Sequence, residues 1–138
     1  MSEYSKFLPP DDMPMFHAPF WESINDHQAK IQKCSDCGSM RFIPLEICPK
    51  CHSGDYQWAA ISGRGSVYTY TIIHRAPTPA YQADAPYVIA HVTLEEGPRM
   101  IANMVGINPE DVQIGMPVHI TYFHVGDGKS LFAFVPST

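Results

Sequence analysis

Five separate stretches in the second half of the chain are dominated by β-branched and aromatic side chains, which are typical of strands. The first stretch also alternates with a period of two, the pattern of a strand with one face in the core. The predicted strands are residues 66–73, 87–94, 99–105, 118–123 and 131–135. In the first of them this period places Val67, Thr69 and Thr71 on one face. Glycine and proline clusters separate the strands, which together predict a small antiparallel barrel.

Upstream of the strands, the spacing of large apolar residues changes to that of a helix. Phe20, Trp21, Ile24 and Ile31 recur near helical spacing, with polar residues between them. The sequence therefore predicts a short helix whose aromatic face either packs on its own domain or docks on another subunit, and both interpretations stay open here. A single helical turn is predicted at residues 108–111, because proline favours the first helical position.

Composition narrows the class of protein. Of the 138 residues 45% are hydrophobic, which is enough for a packed core. No apolar run approaches the ~20 residues of a membrane span, and the start of the chain lacks the basic and apolar regions of a secretory signal. We therefore expect a cytoplasmic protein that binds no membrane. Residues 1–19 are rich in proline and predict an extended arm.

All four cysteines lie in two pairs that have the spacing of a metal site. Cys34 and Cys37 form the first pair, and Cys48 and Cys51 form the second. A gap of two residues places both thiolates of a pair on one side of a tight turn, and two such turns supply four sulfurs to a tetrahedral ion. Gly38 suits the positive φ that the exit of such a turn requires. Because four ligands leave no open position, we predict one structural zinc per chain, favoured over iron.

Two other chemistries use cysteine pairs, and the sequence argues against both. Cys48-Pro49-Lys50-Cys51-His52 matches the attachment pattern of c-type haem, but haem attachment takes place outside the cytoplasm and would leave the first pair unexplained. A redox dithiol is expected as one Cys-x-x-Cys motif in a βαβ setting, which this sequence lacks.

The sequence shows no pattern of a self-sufficient active site, so we predict no catalytic residues. It has no nucleophile elbow, no phosphate-binding loop and no pair of carboxylates at motif spacing. His91 and His119 lie in strand patterns and are predicted as packed or surface strand residues. Residues 74–81 form a proline-stiffened loop that carries a cation and an aromatic side chain. Such loops often carry function, and an ordinary surface loop is the alternative.

Taken in order, these motifs resemble those of a known family. The segments that carry the resemblance are Phe20-Trp21-Glu22, residues 31–38, Phe42-Ile43-Pro44, residues 48–51, residues 62–71, His74-Arg75, residues 85–88 and residues 110–118. Together they are similar to the zinc-ribbon/OB-fold family of acyl-CoA-associated proteins, long classed as a domain of unknown function. His52 departs from the pattern, because the family usually has glycine there.

The resemblance implies a mainly β fold, with an N-terminal helix and a rubredoxin-like zinc ribbon followed by a five-stranded OB-fold barrel. We place the arm and helix at residues 1–31, the ribbon at 32–62 and the OB-fold at 63–138. The implied function is a non-catalytic partner subunit of a thiolase or thiolase-like enzyme, or of an aldolase or hydratase, that helps to form or shield the acyl-CoA site. Phe20 and Trp21 are then expected at the partner interface, and His74, Arg75 and Tyr81 near the substrate or its CoA.

OB-folds and zinc ribbons also bind single-stranded nucleic acid, which gives a second class of function. Tyr68, Tyr70 and Tyr87 would be the platforms on which bases stack. However, three bases and six acids give residues 66–138 a net charge of −3, and phosphate binding requires a basic groove. We therefore favour the acyl-CoA-associated class and expect no nucleic acid to bind.

Overall fold

A helix, a three-stranded sheet and a five-stranded barrel follow one another along the chain. The computed structural model describes residues 15–76, 79–126 and 128–137. Its main elements are α1 (Ala18–Asn25), β1 (Lys30–Cys34), β2 (Met40–Arg41), β3 (Tyr56–Ala60), β4 (Arg64–Ile73), β5 (Tyr87–Leu94), β6 (Arg99–Met104), β7 (Pro117–Gly126) and β8 (Lys129–Pro136). Short 3₁₀ turns span Pro79–Asp84 and Pro109–Asp111. Within these described ranges, no helix is long and apolar enough to cross a membrane.

The last five strands close a barrel in the order β4-β5-β6-β8-β7, which confirms the predicted mainly β fold class. All its pairs are antiparallel except β6 with β8, which are parallel and joined at the single pair Met104 and Phe134. Alternate residues of β5 fill the interior, as the period of two predicts. These interior residues are Val88, Ala90, Val92 and Leu94. The helical turn predicted before β7 is present at Pro109–Asp111.

A β-bulge interrupts the alternation that the sequence predicts for β4. Between Val67 and Thr69 the register with β5 shifts, which leaves Tyr68 as the inserted residue. Val67 is buried, but beyond the bulge it is Tyr70 and Ile72 that pack against the core. The prediction that Val67 and Thr69 share a face is therefore wrong, because one inserted residue exchanges the two faces of the strand.

Helix α1 packs its aromatic face on the barrel of its own chain. Phe20 is 2% exposed and meets Phe132 of β8 edge to face, with ring centroids 5.7 Å apart. Trp21 is only partly buried and lies 6.0 Å from the same ring. The helix does not extend to Ile31 as its spacing suggested, because His27 takes a left-handed conformation (φ 58°) that ends it. Ile31 is instead a buried residue of β1.

The segment between α1 and β1 is tied to the barrel by side-chain hydrogen bonds. The backbone N–H of Ala29 donates to the Tyr122 hydroxyl at 2.8 Å, and burial raises the pKa of Tyr122. The His27 ring stacks on Tyr122 and its Nε2 lies 3.2 Å from the Ser130 hydroxyl. The Ser130 N–H donates to Asn25 Oδ1 at 2.8 Å. These contacts hold the helix and the start of the small sheet against β7 and β8.

Candidate functional site

The first cysteine pair lies in a tight turn between β1 and β2. The backbone N–H of Cys34 donates to the Ser39 carbonyl at 2.8 Å, and the Gly38 N–H donates to the Cys34 carbonyl at 3.0 Å. The Cys37 N–H points at the Cys34 sulfur, 3.5 Å away. Gly38 has a φ of 76°, the left-handed conformation that the sequence predicts for it.

The second pair repeats the same turn. The Cys48 N–H donates to the Ser53 carbonyl and the His52 N–H donates to the Cys48 carbonyl, both at 2.9 Å. His52 has a φ of 65°, so it takes the left-handed conformation at the position where the resembled family has glycine. Histidine is among the residues that tolerate this region. The departure at His52 therefore leaves the turn intact. The Ser53 hydroxyl also donates to the Asp36 carboxylate, which links the two turns.

The two turns bring all four cysteine sulfurs to one point. All four Sγ atoms lie within 4.8 Å of one another. The Cys34 and Cys51 sulfurs are 3.5 Å apart, and those of Cys37 and Cys48 are 3.7 Å apart. Zinc–sulfur bonds of ~2.3 Å in a tetrahedron would separate the sulfurs by ~3.8 Å, so the cluster has the size of a zinc or iron site. Convergence of both pairs disfavours haem attachment and a redox dithiol, which each use one pair.

The electrostatics of the cluster favour a bound cation. The Ser39 hydroxyl lowers the pKa of Cys37 and, with backbone N–H groups, lowers the pKa of Cys48 to about 5. The pKa of Cys51 is raised to about 12, because the neighbouring sulfurs and burial together outweigh the N–H of Ser53, which lowers it. Four sulfurs this close cannot all carry negative charge unaided, whereas a divalent ion favours the thiolate at each of them.

Arg41 has a structural role in the small sheet that carries the first cysteine turn. Its side chain is 5% exposed, and its Nε donates to Gln32 Oε1 at 3.0 Å. A second guanidinium nitrogen donates to the Leu45 carbonyl at 3.1 Å, while the group lies 5.1 Å from the Tyr56 ring centroid. Gln32 Oε1 also accepts from the Leu45 N–H. Arg41 therefore connects β2, β1 and the chain that leads to the second cysteine turn.

The loop predicted to lie near substrate begins where β4 ends. His74 and Arg75 are exposed and directly follow the residue of β4 that pairs with Tyr87 of β5. Residues 77–78 and the side chain of Tyr81 lie outside the described part of the structure. His74 and Arg75 therefore sit at the barrel end where β5 begins, and their role and that of Tyr81 stay predictions.

Sequence reasoning missed an apolar groove at this end of the barrel. The groove has a volume of about 580 Å³ and opens where β6 and β8 diverge. Its lining includes Trp21, Tyr87, Ile101, Met104, Phe123 and Leu131. One weak signal was available: Ile101 lies on the outer face of β6 and is 55% exposed, whereas its neighbour Met100 is buried. Single exposed apolar residues are common on protein surfaces, so this signal alone could not predict the groove.

The three tyrosines considered as stacking platforms for nucleic acid have other partners. Tyr70 packs against the barrel core, and Tyr87 lines the apolar groove. Tyr68 is half exposed, but the Arg99 guanidinium carbon lies only 3.6 Å from its ring centroid. These positions provide no row of open aromatic faces of the kind that single-stranded nucleic acid requires.

Comparison with family models places known domains on this architecture. Residues 21–57 match the model described as "ChsH2, rubredoxin-like zinc ribbon domain". Residues 58–123 match "ChsH2, C-terminal OB-fold domain". The first match begins within α1, at Trp21, and the second covers the barrel as far as Phe123 of β7.

Individual relatives match over most of this chain. A "DUF35 domain-containing scaffold protein" of Methanocaldococcus jannaschii is 41% identical over 104 residues, covering 74% of this chain and 73% of that protein. A "Probable enoyl-CoA hydratase alpha subunit" of Thermomonospora curvata is 38% identical over 86% of this chain, which spans only 37% of that protein. The "Benzoylsuccinyl-CoA thiolase subunit BbsA" of Thauera aromatica is 27% identical, covering 86% of this chain and 81% of that subunit.

A solved structure has the same architecture throughout. The chain from the structure called "Ltp2-ChsH2(DUF35) aldolase" superposes with a TM-score of 0.84 at 35% identity. The match covers 94% of this chain and 100% of the other. Helix, small sheet and barrel are therefore arranged alike in both.

Proposed function

This chain belongs to the ChsH2 (DUF35) family, and from that premise we propose that it is a non-catalytic subunit of a complex that processes acyl-CoA. Its partner is a thiolase or thiolase-like enzyme, and the chain helps to form or shield the acyl-CoA site. The observation that carries the proposal is the similarity to the whole chain from the ChsH2(DUF35) aldolase structure. The similarity to a thiolase subunit over 81% of that subunit's length supports the choice of partner.

The described side chains support a non-catalytic role. All four cysteines converge on one cluster, so no further cysteine remains as a nucleophile. His27 lies within 3.2 Å of Ser130, but Ser130 is 1% exposed and substrate cannot reach it. His119 and Ser137 are 2.9 Å apart on the outside of the barrel, and neither lines the apolar groove. We infer that the partner supplies the reacting groups.

Zinc is the ion that we propose for the cysteine cluster, held by Cys34, Cys37, Cys48 and Cys51. A four-sulfur site has no position left for substrate, so the ion's role is to hold the two turns together. The size of the cluster suits zinc and iron alike, and zinc is favoured because it is the usual ion of structural ribbons with four cysteines.

Trp21 is the residue that we propose as the interface anchor. Phe20 beside it is almost fully buried against Phe132 and therefore supports the helix from beneath, while Trp21 keeps part of its ring exposed. Large aromatic side chains with one exposed edge are typical centres of binding energy at interfaces. His74, Arg75 and Tyr81 are proposed to lie near the substrate, with the Arg75 fork facing a phosphate or carboxylate.

Assembly and turnover test this proposal separately. The tagged chain is purified from its native host, and the purified complex and the isolated chain are assayed for thiolysis of acyl-CoA. We expect activity only in the complex. Trp21→Ala should weaken assembly, as measured by size-exclusion chromatography with the recombinant partner. Arg75→Ala should leave assembly intact and lower turnover or substrate affinity.

Arg75→Ala serves as the control for Trp21→Ala in the assembly measurement, because it is expected to leave the subunits associated. Cleavage or condensation of acyl-CoA by the isolated chain would contradict the non-catalytic role. Purification of a monomer with no thiolase-like companion would contradict the partner.

A further inference from the structure

The apolar groove exists because two neighbouring strands of the barrel separate. Strands β6 and β8 are in register only at Met104 and Phe134, and residues of both strands line the groove. Buried residues of the barrel, including Val88 and Ala133, form part of the lining. Ile101 on β6 is 55% exposed and Phe123 on β7 is 37% exposed. The groove therefore reaches from the protein surface to the barrel interior.

The groove suits an uncharged, apolar ligand. Its volume of about 580 Å³ falls within the roughly 300–1,000 Å³ that is usual for small-molecule sites. Among the described lining residues, Asp84 is the only charged one, so no described cation would receive an anionic group inside. Asn103 contributes an amide that can donate a hydrogen bond to a carbonyl oxygen.

We propose that this groove binds the acyl group of a CoA thioester, with the thioester end towards the barrel end where β4 and β5 meet. The ligand class rests on the proposed function; the groove itself rests on its own geometry. The exposed residues His74 and Arg75 follow β4 at that end, beside Tyr87 in the groove wall. Their position lets the phosphates of CoA stay in solvent near a cation while the acyl chain occupies the apolar seam.

The fluorescence of Trp21 can report ligand binding directly, because Trp21 lines the groove. Trp58 lies in the small sheet, so Trp58→Phe leaves Trp21 as the reporter of the full-length chain. Hexanoyl-, octanoyl- and decanoyl-CoA are titrated, with free CoA and decanoate as comparisons. We expect a change in Trp21 emission and an affinity that rises about two- to fourfold per added methylene, because each buried methylene contributes a fixed increment. Free CoA and decanoate should bind much more weakly.

A matched pair of variants locates the site. Ile101→Asp places a carboxylate in the groove wall. It should weaken decanoyl-CoA binding by about tenfold or more, because an unpaired charge would face the apolar acyl chain of the ligand. Ile114 is 69% exposed and is not a lining residue, so Ile114→Asp makes the same change elsewhere and should bind normally. Circular dichroism checks that both variants fold.

The outcomes separate this inference from the proposed function. An acyl-CoA affinity that did not depend on the length of the acyl group, or that Ile101→Asp left unchanged, would overturn the acyl site. This would hold even if the protein still assembled with a thiolase-like partner. Loss of assembly in Ile101→Asp with decanoyl-CoA binding retained would also overturn it and make the groove a subunit interface. If the protein bound acyl-CoA but assembled with no thiolase-like enzyme, the acyl site would be supported and the proposed partner would be wrong.

Discussion

The small sheet and the barrel differ in the polar groups that they bury, although Ile31 of β1 belongs to the same apolar core as the barrel residues. In the sheet and its cysteine turns, Gln32 is fully buried, Arg41 is 5% exposed, and Cys34 and Cys48 are buried as well. The interior of the barrel is apolar instead. Its most deeply buried residues include Val67, Val88, Ala90, Val92, Met100, Val118, Ala133 and Phe134. Different kinds of interaction therefore stabilise the small sheet and the barrel.

The difference follows from the amount of surface that each module can bury. Strands β1, β2 and β3 have five, two and five residues, and so small a sheet cannot enclose an apolar core of its own. Ile31 of β1 instead joins the apolar core of the barrel. We propose that an ion held by the four cysteines stabilises the rest of the sheet, together with the hydrogen-bonded Arg41–Gln32 pair. The barrel closes on itself and buries side chains from all five strands, so it needs no ion. The comparison predicts that each module can be broken by its own kind of substitution.

Among the substitutions predicted here, removal of a sulfur ligand should lower the stability of the protein most. We expect Cys37→Ser to lose the ion, to unfold the small sheet and to give mostly insoluble protein, because metal binding in such modules is worth on the order of 10 kcal/mol. Elemental analysis should find one zinc in the wild-type chain and almost none in the soluble variant. Trp58 of β3 should report the unfolded sheet by a red-shifted emission.

Ser35→Ala is the control, because Ser35 lies in the same turn and is not one of the clustered sulfur ligands. It should retain the ion and the emission of Trp58. A Cys37→Ser chain that kept one ion and native Trp58 fluorescence would contradict the account of how the sheet is stabilised. A red colour in the wild-type protein would indicate bound iron rather than zinc, and the ion would still be what stabilises the small sheet.

Local patterns explain why the cysteine turns and most of the barrel were predictable. The turn that places two sulfurs needs only residues that are close in sequence, and the left-handed Gly38 follows from the same few residues. All five barrel strands were predicted within a few residues, because each is rich in β-branched or aromatic residues and turn residues separate them. The position of the boundary between the two modules stays a prediction.

The features that were missed depend on contacts between distant residues. Strand β1 was not predicted, because its buried Gln32 is polar and only its pairing with Arg41 explains that burial. The bulge at Tyr68 is a mismatch of two strands and leaves no mark on one strand alone. The groove requires β6, β8 and Trp21 together, three elements that are far apart in sequence.

Removal of a core side chain should break the barrel and spare the cysteine cluster. Phe134 is fully buried and pairs with Met104 across the parallel seam. We expect Phe134→Ala to lower the free energy of unfolding by about 3–5 kcal/mol, because a large cavity replaces the ring. Chemical denaturation followed by circular dichroism measures the loss, and elemental analysis should still find one ion per folded chain.

The exposed Ile114 provides the contrast for Phe134. Ile114→Ala removes apolar atoms from a side chain that is 69% exposed, so the free energy of unfolding should change by no more than about 0.5 kcal/mol. Equal effects of the two substitutions, or loss of the ion in Phe134→Ala, would show that the two modules do not have separate sources of stability.

The junction between the small sheet and the barrel should contribute least to the free energy of unfolding. Arg64, the first residue of β4, donates to both carboxylate oxygens of Glu95, at 2.9 and 3.1 Å. The Ser62 hydroxyl donates to the same carboxylate at 2.9 Å, so Glu95 joins the end of the linker from β3 to the barrel. The Arg64 and Glu95 side chains are 65% and 49% exposed, and salt therefore screens the pair.

Glu95→Gln tests this junction through its dependence on pH. The Arg64 and Ser62 hydrogen bonds lower the pKa of Glu95 below its ordinary value of 4.5 in the folded chain, so its charge stabilises the fold above that value. The difference in stability between wild type and variant should be small and constant near neutral pH. It should shrink as the pH falls below about 4.5 and the folded carboxylate takes up its proton. Thermal unfolding at low salt measures it, with Glu110→Gln as a control of equal charge change away from the linker. A difference that grew on acidification, or that survived molar salt, would show that the modules are joined by more than this exposed pair.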